Sequence, residues 1–581
     1  MMRSILLFSL CVLFCTNGFG QQLSKQLIDV KSYTEANKTP IYTDVIKYYQ
    51  QIAAADNRVK INDGGPTDCY YRLNEVVVDG SRKFTPEAAR AEGKVVIFIN
   101  NGIHPGEPDG IDATLWWLQD ILMSKDPELL KNVVFVIIPV YNIDGALVRN
   151  STLRFTQNGP EEYGFRGNGQ NLDLNRDFIK CDSRNAQSFV RLFTKWNPDI
   201  FIDNHVSDGA DYQHVMTLLP TQPDKLGYNQ IDFLRHTFMP SLFHKMEIKG
   251  FPMAPYINVW GSTPDKGLPG FMDTPRYSSG YAALFQTYSF VPESHMLKPY
   301  GQRVKATRAL LQSFCEFALE KKSSLLHSRE LAVSAMMRDR VMPVRWELDT
   351  LKADSVFFRA YDYEYVPSVV TGLPRLRYRR DRPFQKMVPY YNYAYVTDSV
   401  DVPEYYIVPQ GWYRVLERLS ANGVEMNSIT RDSVIVATAE YIDDVKAFPR
   451  PYEGHFIHFG TKTHAEKSNY PVHKGDFIIS THQASRRLIV EALEPRAMDS
   501  YFSWNFFDAI LNRKEGFSDY VYEDMLADMV QKDSSIKTKL DKWLSAHPEM
   551  KNNGFAQLNF LYENSIYDEP WANRYPVLKV F

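Results

Sequence analysis

The chain is poor in cysteine, in net charge and in long apolar runs. Only five of its 581 residues are cysteines. Cys11 and Cys15 lie in the N-terminal apolar stretch, which leaves Cys69, Cys181 and Cys315. Three cysteines allow at most one internal disulfide, which excludes a disulfide-stabilised scaffold. The net charge of −3, from 66 basic and 69 acidic residues, gives no electrostatic basis for binding nucleic acid or an anionic membrane surface.

The one long apolar run lies at the start of the chain. Residues 1–20 combine a basic residue, an apolar segment (Ile5 to Phe14) and then small and polar residues, which is typical of a secretory signal peptide. We predict cleavage near Gly20–Gln21 and a secreted or periplasmic protein. Phe14 precedes Cys15 where lipidation needs a small residue, so a lipid anchor is disfavoured. Elsewhere no stretch reaches the ~20 apolar residues that span a bilayer, so we predict no transmembrane segment after signal removal.

Continuous apolar runs separated by helical patterns predict the fold of residues 21–325. These runs are KVVIFI (Lys94 to Ile99), NVVFVIIPVYN (Asn132 to Asn142), PDIFIDNH (Pro198 to His205) and AALFQTYSFVPE (Ala282 to Glu293). Strands without alternation belong to a sheet that is covered on both faces. We therefore predict an α/β domain with a mixed, mostly parallel sheet covered by helices.

A polar stretch, KKSSLLHSRE, predicts the end of this domain near residue 325. Residues 326–581 combine alternating strand patterns with helical segments, so we predict a C-terminal accessory region of mixed α and β, rich in strands. The basic run RLRYRRDR (Arg375 to Arg382) is typical of a solvated strand edge, although a binding patch is the alternative interpretation. The role of this region is not indicated by any motif.

Two candidate metal ligands lie in a loop directly after a predicted strand. NNGIHPGEPDG (Asn100 to Gly110) places His104 three residues before Glu107. His205 ends PDIFIDNH, and Glu293 lies in SFVPESHM at the end of another strand. Ligands of such sheets bind beyond the strand ends, so we expect these side chains to meet. A catalytic zinc site uses three protein ligands and leaves one position open, which predicts His104, Glu107 and His205 as ligands.

The chemistry of such a site also needs a base and a group that binds the substrate. Glu293 is the predicted general base that takes a proton from water. NGQNLDLNRDF (Asn168 to Phe178) places Asn175 and Arg176 in a loop. A guanidinium binds a carboxylate through two parallel hydrogen bonds, which suits a substrate with a free C-terminal carboxylate.

Together these motifs resemble the zinc metallocarboxypeptidase family, the funnelin-type fold of pancreatic and bacterial carboxypeptidases. The family's HxxE…H pattern is similar to His104, Glu107 and His205, and its Asn-Arg pair is similar to Asn175–Arg176 within DLNRD. Glu293 matches its general base. YNIDGALVRN resembles its NPDG stretch, with Ile143 in place of proline. The resemblance extends from about Ile41 to Lys321.

The resemblance implies two further residues, each with an alternative. An arginine helps to polarise the scissile carbonyl in the family, and Arg154 is the match, with Arg149 as the alternative. A mobile tyrosine covers the substrate, and Tyr277 is preferred to Tyr281. Gly106 stands where digestive members have an arginine, and the loop from 207 to 274 carries no recognisable specificity pattern.

The resemblance implies a secreted carboxypeptidase with one Zn²⁺ per chain that acts on peptides with a free C-terminal carboxylate. One alternative is a zinc amidase or peptidase acting on peptidoglycan stem peptides or acyl-amino acids. A second is an inactive, peptidase-like binding protein. No folded inhibitory pro-domain is evident before the catalytic region, so we expect activity once the signal peptide is removed.

Overall fold

The computed structural model describes residues 29–124 and 126–581. The predicted signal peptide and its cleavage point lie outside the described residues. Within the described residues, no helix combines the length and the apolar character needed to cross a membrane.

The first half of the chain is organised around one nine-stranded sheet. Its strands in chain order are β1 Val59–Pro66, β2 Arg72–Val78, β3 Val95–Asn100, β4 Val133–Ile138, β5 Ile200–Asp203, β6 His205–Ser207, β7 Met216–Pro220, β8 Ala254–Pro255 and β9 Tyr288–His295. The strand order is β1-β2-β4-β3-β5-β9-β7-β8, and β6 also pairs with β9. The central pairs β3/β4, β3/β5 and β5/β9 are parallel, whereas β1/β2, β2/β4 and β9/β7 are antiparallel. The predicted mixed, mostly parallel sheet is therefore confirmed.

Helices cover this sheet because its central strands are apolar along their whole length. All six residues of β3 and of β4 are buried, as an unalternating apolar run requires. The α-helices of this half are α1 Val30–Glu35, α2 Tyr42–Ala55, α3 Pro86–Ala91, α4 Asp109–Met123, α5 Glu128–Asn132, α6 Ile143–Leu147, α7 Arg184–Trp196, α8 Tyr228–Phe233, α9 Met239–Ile248, α10 Ser278–Ala283, α11 Tyr300–Glu320 and α12 Lys322–Met336.

The C-terminal region is rich in strands, as predicted, and contains two long hairpins. Its strands are β10 Val341–Leu348, β11 Asp354–Pro367, β12 Pro374–Tyr391, β13 Ala394–Asp401, β14 Tyr405–Val408, β15 Asn427–Ser428, β16 Ser433–Ala447, β17 His458–Val472, β18 Phe477–Ser480 and β19 Arg574–Val580. Its helices are α13 Tyr413–Ala421, α14 Arg486–Leu493, α15 Asp519–Lys532, α16 Ser535–Ala546 and α17 Gly554–Glu563. The basic run 375–382 lies in β12, where Arg377 and Arg379 pair with Glu364 on β11, consistent with a solvated strand edge.

The structure differs from two local expectations. Apart from Lys321, the polar stretch KKSSLLHSRE lies within α12, in which Leu325, Arg329 and Ala332 recur at helical spacing and are buried. The domain boundary predicted near residue 325 thus falls inside a helix. The strand expected from Ala282 begins only at Tyr288, since Ser278–Ala283 forms α10 before it.

The two halves share one hydrophobic core. Phe193 and Tyr281 from the sheet region belong to the same buried cluster as Leu419, Ile489 and Trp504 from the C-terminal region. The hydroxyl of Tyr281 also donates to Asn422 Oδ1 at 2.6 Å. Separation of the halves would expose this apolar surface to water, so the C-terminal region is packed onto the sheet region as an integral part of the structure.

Candidate active site

Three neighbouring strand ends bring the predicted site residues to one edge of the sheet. β3, β5 and β9 run parallel, so their carboxyl ends meet there. The loop after β3 carries His104 and Glu107. His205 is the first residue of β6 and lies directly beside Glu293 of β9 in the parallel register. The strand order therefore places side chains from three separate segments within reach of one another.

The three predicted ligands converge on one point. One donor atom from each of His104, Glu107 and His205 lies within 4.8 Å of the others, and all three residues are buried. The Nδ1 atom of His104 is 3.2 Å from Glu107 Oε1, and Nδ1 of His205 is 3.1 Å from Glu107 Oε2. Two imidazoles and one carboxylate form a donor set that zinc prefers.

Two carboxylates bind the far sides of the histidines and orient their rings. His104 Nε2 is 2.9 Å from Asp173 Oδ1, and His205 Nε2 is 3.0 Å from Asp203 Oδ2. Both Nδ1 atoms therefore point toward the shared centre, and Nδ1 of His104 is buried without a hydrogen-bond partner. A carboxylate behind a histidine is the usual support of a metal ligand. The residues present thus fit a zinc ion.

The electrostatics of the centre favour a charged carboxylate and a basic imidazole. Although burial opposes ionisation, the guanidinium of Arg154 and the ring of His104 hold the pKa of Glu107 well below its usual value. Burial likewise disfavours a charged His205, but the carboxylates of Asp203 and Glu107 raise its pKa well above 6.5. A cation at the centre would replace the proton that these carboxylates attract.

Glu293 faces the same centre from the neighbouring strand. Loss of water around its carboxyl raises its pKa to about 8, with the positive character of His205 opposing this shift. His295, two residues further on, does not face Glu293. It stacks on Tyr212 with ring centroids 4.1 Å apart and lies 3.1 Å from Asp211 Oδ1. Glu293 is thus a carboxyl group whose proton affinity is poised near neutral pH.

The centre opens into a cavity of about 450 Å³. It is lined by His104, Glu107, Arg154, Arg166, Asn175, Arg176, His205, Val206, Ser207, Asp208, Leu219, Tyr256, Trp260, Phe271, Tyr277, Ser278, Ser279, Val291 and Glu293. Every residue predicted for the site therefore borders one cavity. Arg176 and Asn175 lie in a short 3₁₀ turn (Leu174–Arg176), and the guanidinium carbon of Arg176 lies 4.5 Å from the ring centroid of Tyr277.

The two alternatives considered in the sequence lie elsewhere. Arg149 donates to the carbonyl oxygens of Thr39 and Pro40, away from the cavity. Tyr281 is fully buried and held by Asn422, which leaves it no freedom to cover a substrate. The preferred choices, Arg154 and Tyr277, both line the cavity.

Arg154 donates hydrogen bonds to three groups of the protein. It donates to Glu107 Oε1 at 2.8 Å, to Gln157 Oε1 at 2.7 Å and to the carbonyl oxygen of Val206 at 3.4 Å. Its side chain also explains Gly106, since a Cβ there would lie 2.5 Å from Arg154 Cδ. Arg154 therefore braces the ligand loop directly.

Arg166 is a cavity residue that the sequence did not reveal. Its Nε donates to Asp173 Oδ2 at 2.9 Å, and Nη1 lies 3.6 Å from Glu107 Oε1. Its side chain is 45% exposed, compared with 19% for Arg154. No motif in FRGNG marks this arginine. Asp173 and Asp203 had a signal, since each lies two residues from a predicted site residue.

Comparison with known proteins finds carboxypeptidases among the similar sequences and structures. Residues 48–207 match the model of the zinc carboxypeptidase family. Carboxypeptidase 2 of Trichophyton equinum is 21% identical over 429 residues, covering 71% of this chain and 74% of the relative. Among solved structures, carboxypeptidase A from Helicoverpa armigera has a TM-score of 0.37 and 14% identity, covering 50% of this chain and 75% of that one. The putative carboxypeptidase A from Shewanella denitrificans OS-217 has a TM-score of 0.36 and 17% identity, covering 48% of this chain and 68% of that one.

The matched segment contains His104, Glu107, Asn175, Arg176 and His205, the residues on which the resemblance in the sequence rested. Glu293 and Tyr277 lie beyond it. Residues 48–207 therefore match the zinc carboxypeptidase family, and the donor set of the site agrees with a zinc metallopeptidase of the metallocarboxypeptidase type.

Proposed function

We propose that the protein is a secreted zinc carboxypeptidase that releases residues one at a time from the free C-termini of peptides. The observation that carries this proposal is the convergence of His104, Glu107 and His205 within 4.8 Å, in a cavity that is also lined by Arg176. Secretion rests on the features of residues 1–20 in the sequence.

One zinc ion per chain would be held by His104 Nδ1, the Glu107 carboxylate and His205 Nδ1. Bound there, zinc would act as a Lewis acid toward the scissile carbonyl and would acidify a water molecule. Asp173 and Asp203 keep the two imidazoles oriented, because their carboxylates bind the opposite ring nitrogens.

Glu293 is the proposed general base and acid. Its carboxylate takes a proton from the attacking water and passes it to the nitrogen of the leaving residue. The dry surroundings that raise its pKa to about 8 give it the proton affinity for the second step. A dication at the neighbouring centre would lower that pKa, which keeps the carboxylate ionised for the first step.

Arg176 and Asn175 are the proposed clamp for the substrate carboxylate. A guanidinium that lines the cavity can form two charge-assisted hydrogen bonds to a terminal carboxylate. Because this contact exists only at a chain end, it fixes the peptide bond that reaches Glu293 and enforces removal of the last residue. Tyr277, against the Arg176 guanidinium, is the proposed substrate-covering tyrosine.

Arg154 is the arginine that we propose to support polarisation of the carbonyl, through its contact with Glu107. Arg166 is a second candidate for this role. Its side chain is more exposed than that of Arg154, and its Nη1 lies 3.6 Å from Glu107 Oε1. A positive charge beside the developing oxyanion stabilises the transition state more than the ground state.

Zinc stoichiometry and exopeptidase activity test this function together. We expect one zinc per purified chain and release of amino acids from peptides with free C-termini but not from their amidated twins. Zinc binding without release from either pool would favour the amidase alternative, in which peptidoglycan stem peptides or acyl-amino acids are the substrates. Absence of bound zinc after addition of the metal would favour the inactive binding protein.

A further inference from the structure

A tight turn of the C-terminal region contacts the substrate-binding side of the cavity. Residues 452–455, here called the 452–455 turn, pair Tyr452 N–H with His455 O at 2.8 Å and His455 N–H with Tyr452 O at 3.1 Å. The two central residues, Glu453 and Gly454, have φ values of 51° and 81°. Positive φ at both positions is the geometry of a two-residue hairpin turn, which holds the flanking side chains rigidly.

Tyr452 contacts Arg176 directly. Its hydroxyl oxygen accepts a hydrogen bond from Arg176 Nε at 2.9 Å, and Arg176 Nη1 donates to the carbonyl oxygen of Asn175 at 2.8 Å. The guanidinium also lies over the ring of Tyr277. These contacts engage Nε and one N–H of Nη1, which leaves the second N–H of Nη1 and both N–H groups of Nη2 for a carboxylate in the cavity. An arginine held in one orientation loses less conformational entropy when it binds a carboxylate.

Glu453 and His455 hold the chain on both sides of Arg176. Glu453 Oε2 accepts from the backbone N–H of Asp173 at 2.8 Å, and His455 Nε2 is 2.7 Å from Asp182 Oδ2. Asp173 is the residue whose Oδ1 accepts from the N–H of Asn175. The turn therefore contacts the start and the end of the segment 173–182.

The turn itself is anchored in the core that the two halves share. Trp504, fully buried in that core, lies 5.5 Å from the ring of His455 and 4.9 Å below the guanidinium of Arg276. Arg276 directly precedes Tyr277 in the chain, and its Nε donates to Asp499 Oδ1 at 2.8 Å. The C-terminal region thus supports both segments that form this side of the cavity.

We propose that the 452–455 turn positions the carboxylate clamp, with Tyr452 as a positioning residue that acts through Arg176. This inference rests on the proposed role of Arg176 in binding the substrate carboxylate. In this arrangement, the C-terminal region completes the substrate site of the other half of the chain. The substrate class that depends on the turn is therefore a peptide with a free C-terminal carboxylate.

The test is the kinetics of Tyr452→Phe, Arg176→Ala and the double variant on an N-acylated dipeptide with a free carboxylate. Removal of the hydroxyl leaves Arg176 Nε without its acceptor, so we expect KM to rise about tenfold. We expect kcat to change by less than about twofold, because Glu293 and the ligands are untouched. In the Arg176→Ala background, Tyr452→Phe has no further effect, since the two residues act as one unit.

Controls separate positioning from general destabilisation. Tyr520→Phe removes a hydroxyl from an exposed tyrosine of α15 and leaves KM unchanged. If Tyr452→Phe is recovered unfolded, Glu453→Ala and Glu453→Gln make the same comparison, because only glutamine retains an oxygen that can accept from Asp173 N–H. Glu453→Ala then raises KM and Glu453→Gln restores it.

The outcomes distinguish this inference from the function on which it rests. If Arg176→Ala leaves KM unchanged, the clamp itself is wrong. If Arg176→Ala raises KM but Tyr452→Phe does not, or if the two effects multiply in the double variant, positioning by the turn is overturned and the clamp stands. A fall in kcat with unchanged KM for Tyr452→Phe likewise overturns it.

Discussion

The metal end and the clamp end of the cavity are supported in different ways. At the metal end, His104, Glu107 and His205 are braced by Asp173 and Asp203, all from the first half of the chain. At the clamp end, Arg176 is held by Tyr452, which is 276 residues away in sequence. The metal ligands and the two carboxylates that orient them thus come from one half of the chain, whereas the proposed clamp residue Arg176 is also held by a side chain of the other half.

This difference predicts that substitutions at the two ends of the cavity affect different properties of the enzyme. Substitutions at the strand ends should reduce turnover or zinc binding and leave substrate binding unchanged. Damage in the C-terminal region should weaken substrate binding and leave the metal in place. Four experiments test that division, from the largest expected effect to the smallest.

Glu293→Gln tests the metal end most strongly. Glutamine keeps the size of the side chain but cannot take up a proton, so we expect kcat to fall by about 10³-fold. Zinc content and KM for a free-carboxylate peptide should stay near the wild-type values. Steady-state kinetics give KM, and metal analysis gives the zinc content. Turnover within tenfold of wild type would remove Glu293 from the mechanism.

Arg166→Met and Arg154→Met form a matched pair at the same end. If Arg166 faces the substrate, its loss should reduce kcat by about 10²-fold at constant zinc content. Arg154→Met should instead weaken zinc binding, because Arg154 contacts Glu107 directly. Steady-state kinetics at saturating zinc, with a zinc titration for each variant, separate the two. The reverse pattern would assign the polarising role to Arg154.

Asp203→Asn tests how far the metal end is supported by its own sheet. The amide cannot hold His205 Nε2 as the carboxylate does, so we expect zinc affinity to fall roughly 10- to 100-fold. Competition with a fluorescent chelator gives the dissociation constant. KM measured at saturating zinc should be unchanged. A raised KM with unchanged zinc affinity would contradict the division between the two ends.

His455→Gln tests the contact between the halves and has the smallest expected effect. Although burial opposes protonation, the Asp182 carboxylate raises the pKa of His455 above 6.5 in the folded state. Its ion pair therefore contributes in full below about pH 6.5, and this contribution disappears as pH rises through the folded-state pKa.

We expect the wild type to melt roughly 1–2 °C above His455→Gln near pH 5.5, with the difference disappearing at alkaline pH. Differential scanning calorimetry across this range measures it. Lys180 and Asp508 also lie near this pair, and His455 contributes a positive charge that lowers the pKa of Asp508. A difference that grows with pH would show that the contact is not the proposed ion pair.

Much of the sheet and the site could be predicted because their signals are local. An unbroken, β-branched apolar run such as KVVIFI is typical of a covered strand, and β3 is buried at all six positions. Local composition was misleading where a polar stretch could be either a linker or part of a helix. KKSSLLHSRE is polar enough for a linker, but its buried residues Leu325, Ser328 and Arg329 continue at helical spacing to Ala332 and Met336, and it forms the start of α12.

The sequence by itself determined the types of residue that carry the chemistry and the order in which they occur. HPGE, DLNRD and the strand-end His205 and Glu293 are readable because each belongs to a short segment with its own chemical signature. Only the tertiary structure decided how these residues are held. The orientation of His104, the exposure of Arg166 and the contact of Tyr452 with Arg176 depend on packing between distant segments. No local pattern encodes such contacts, because they form only when the hydrophobic core shared by the two halves brings the segments together.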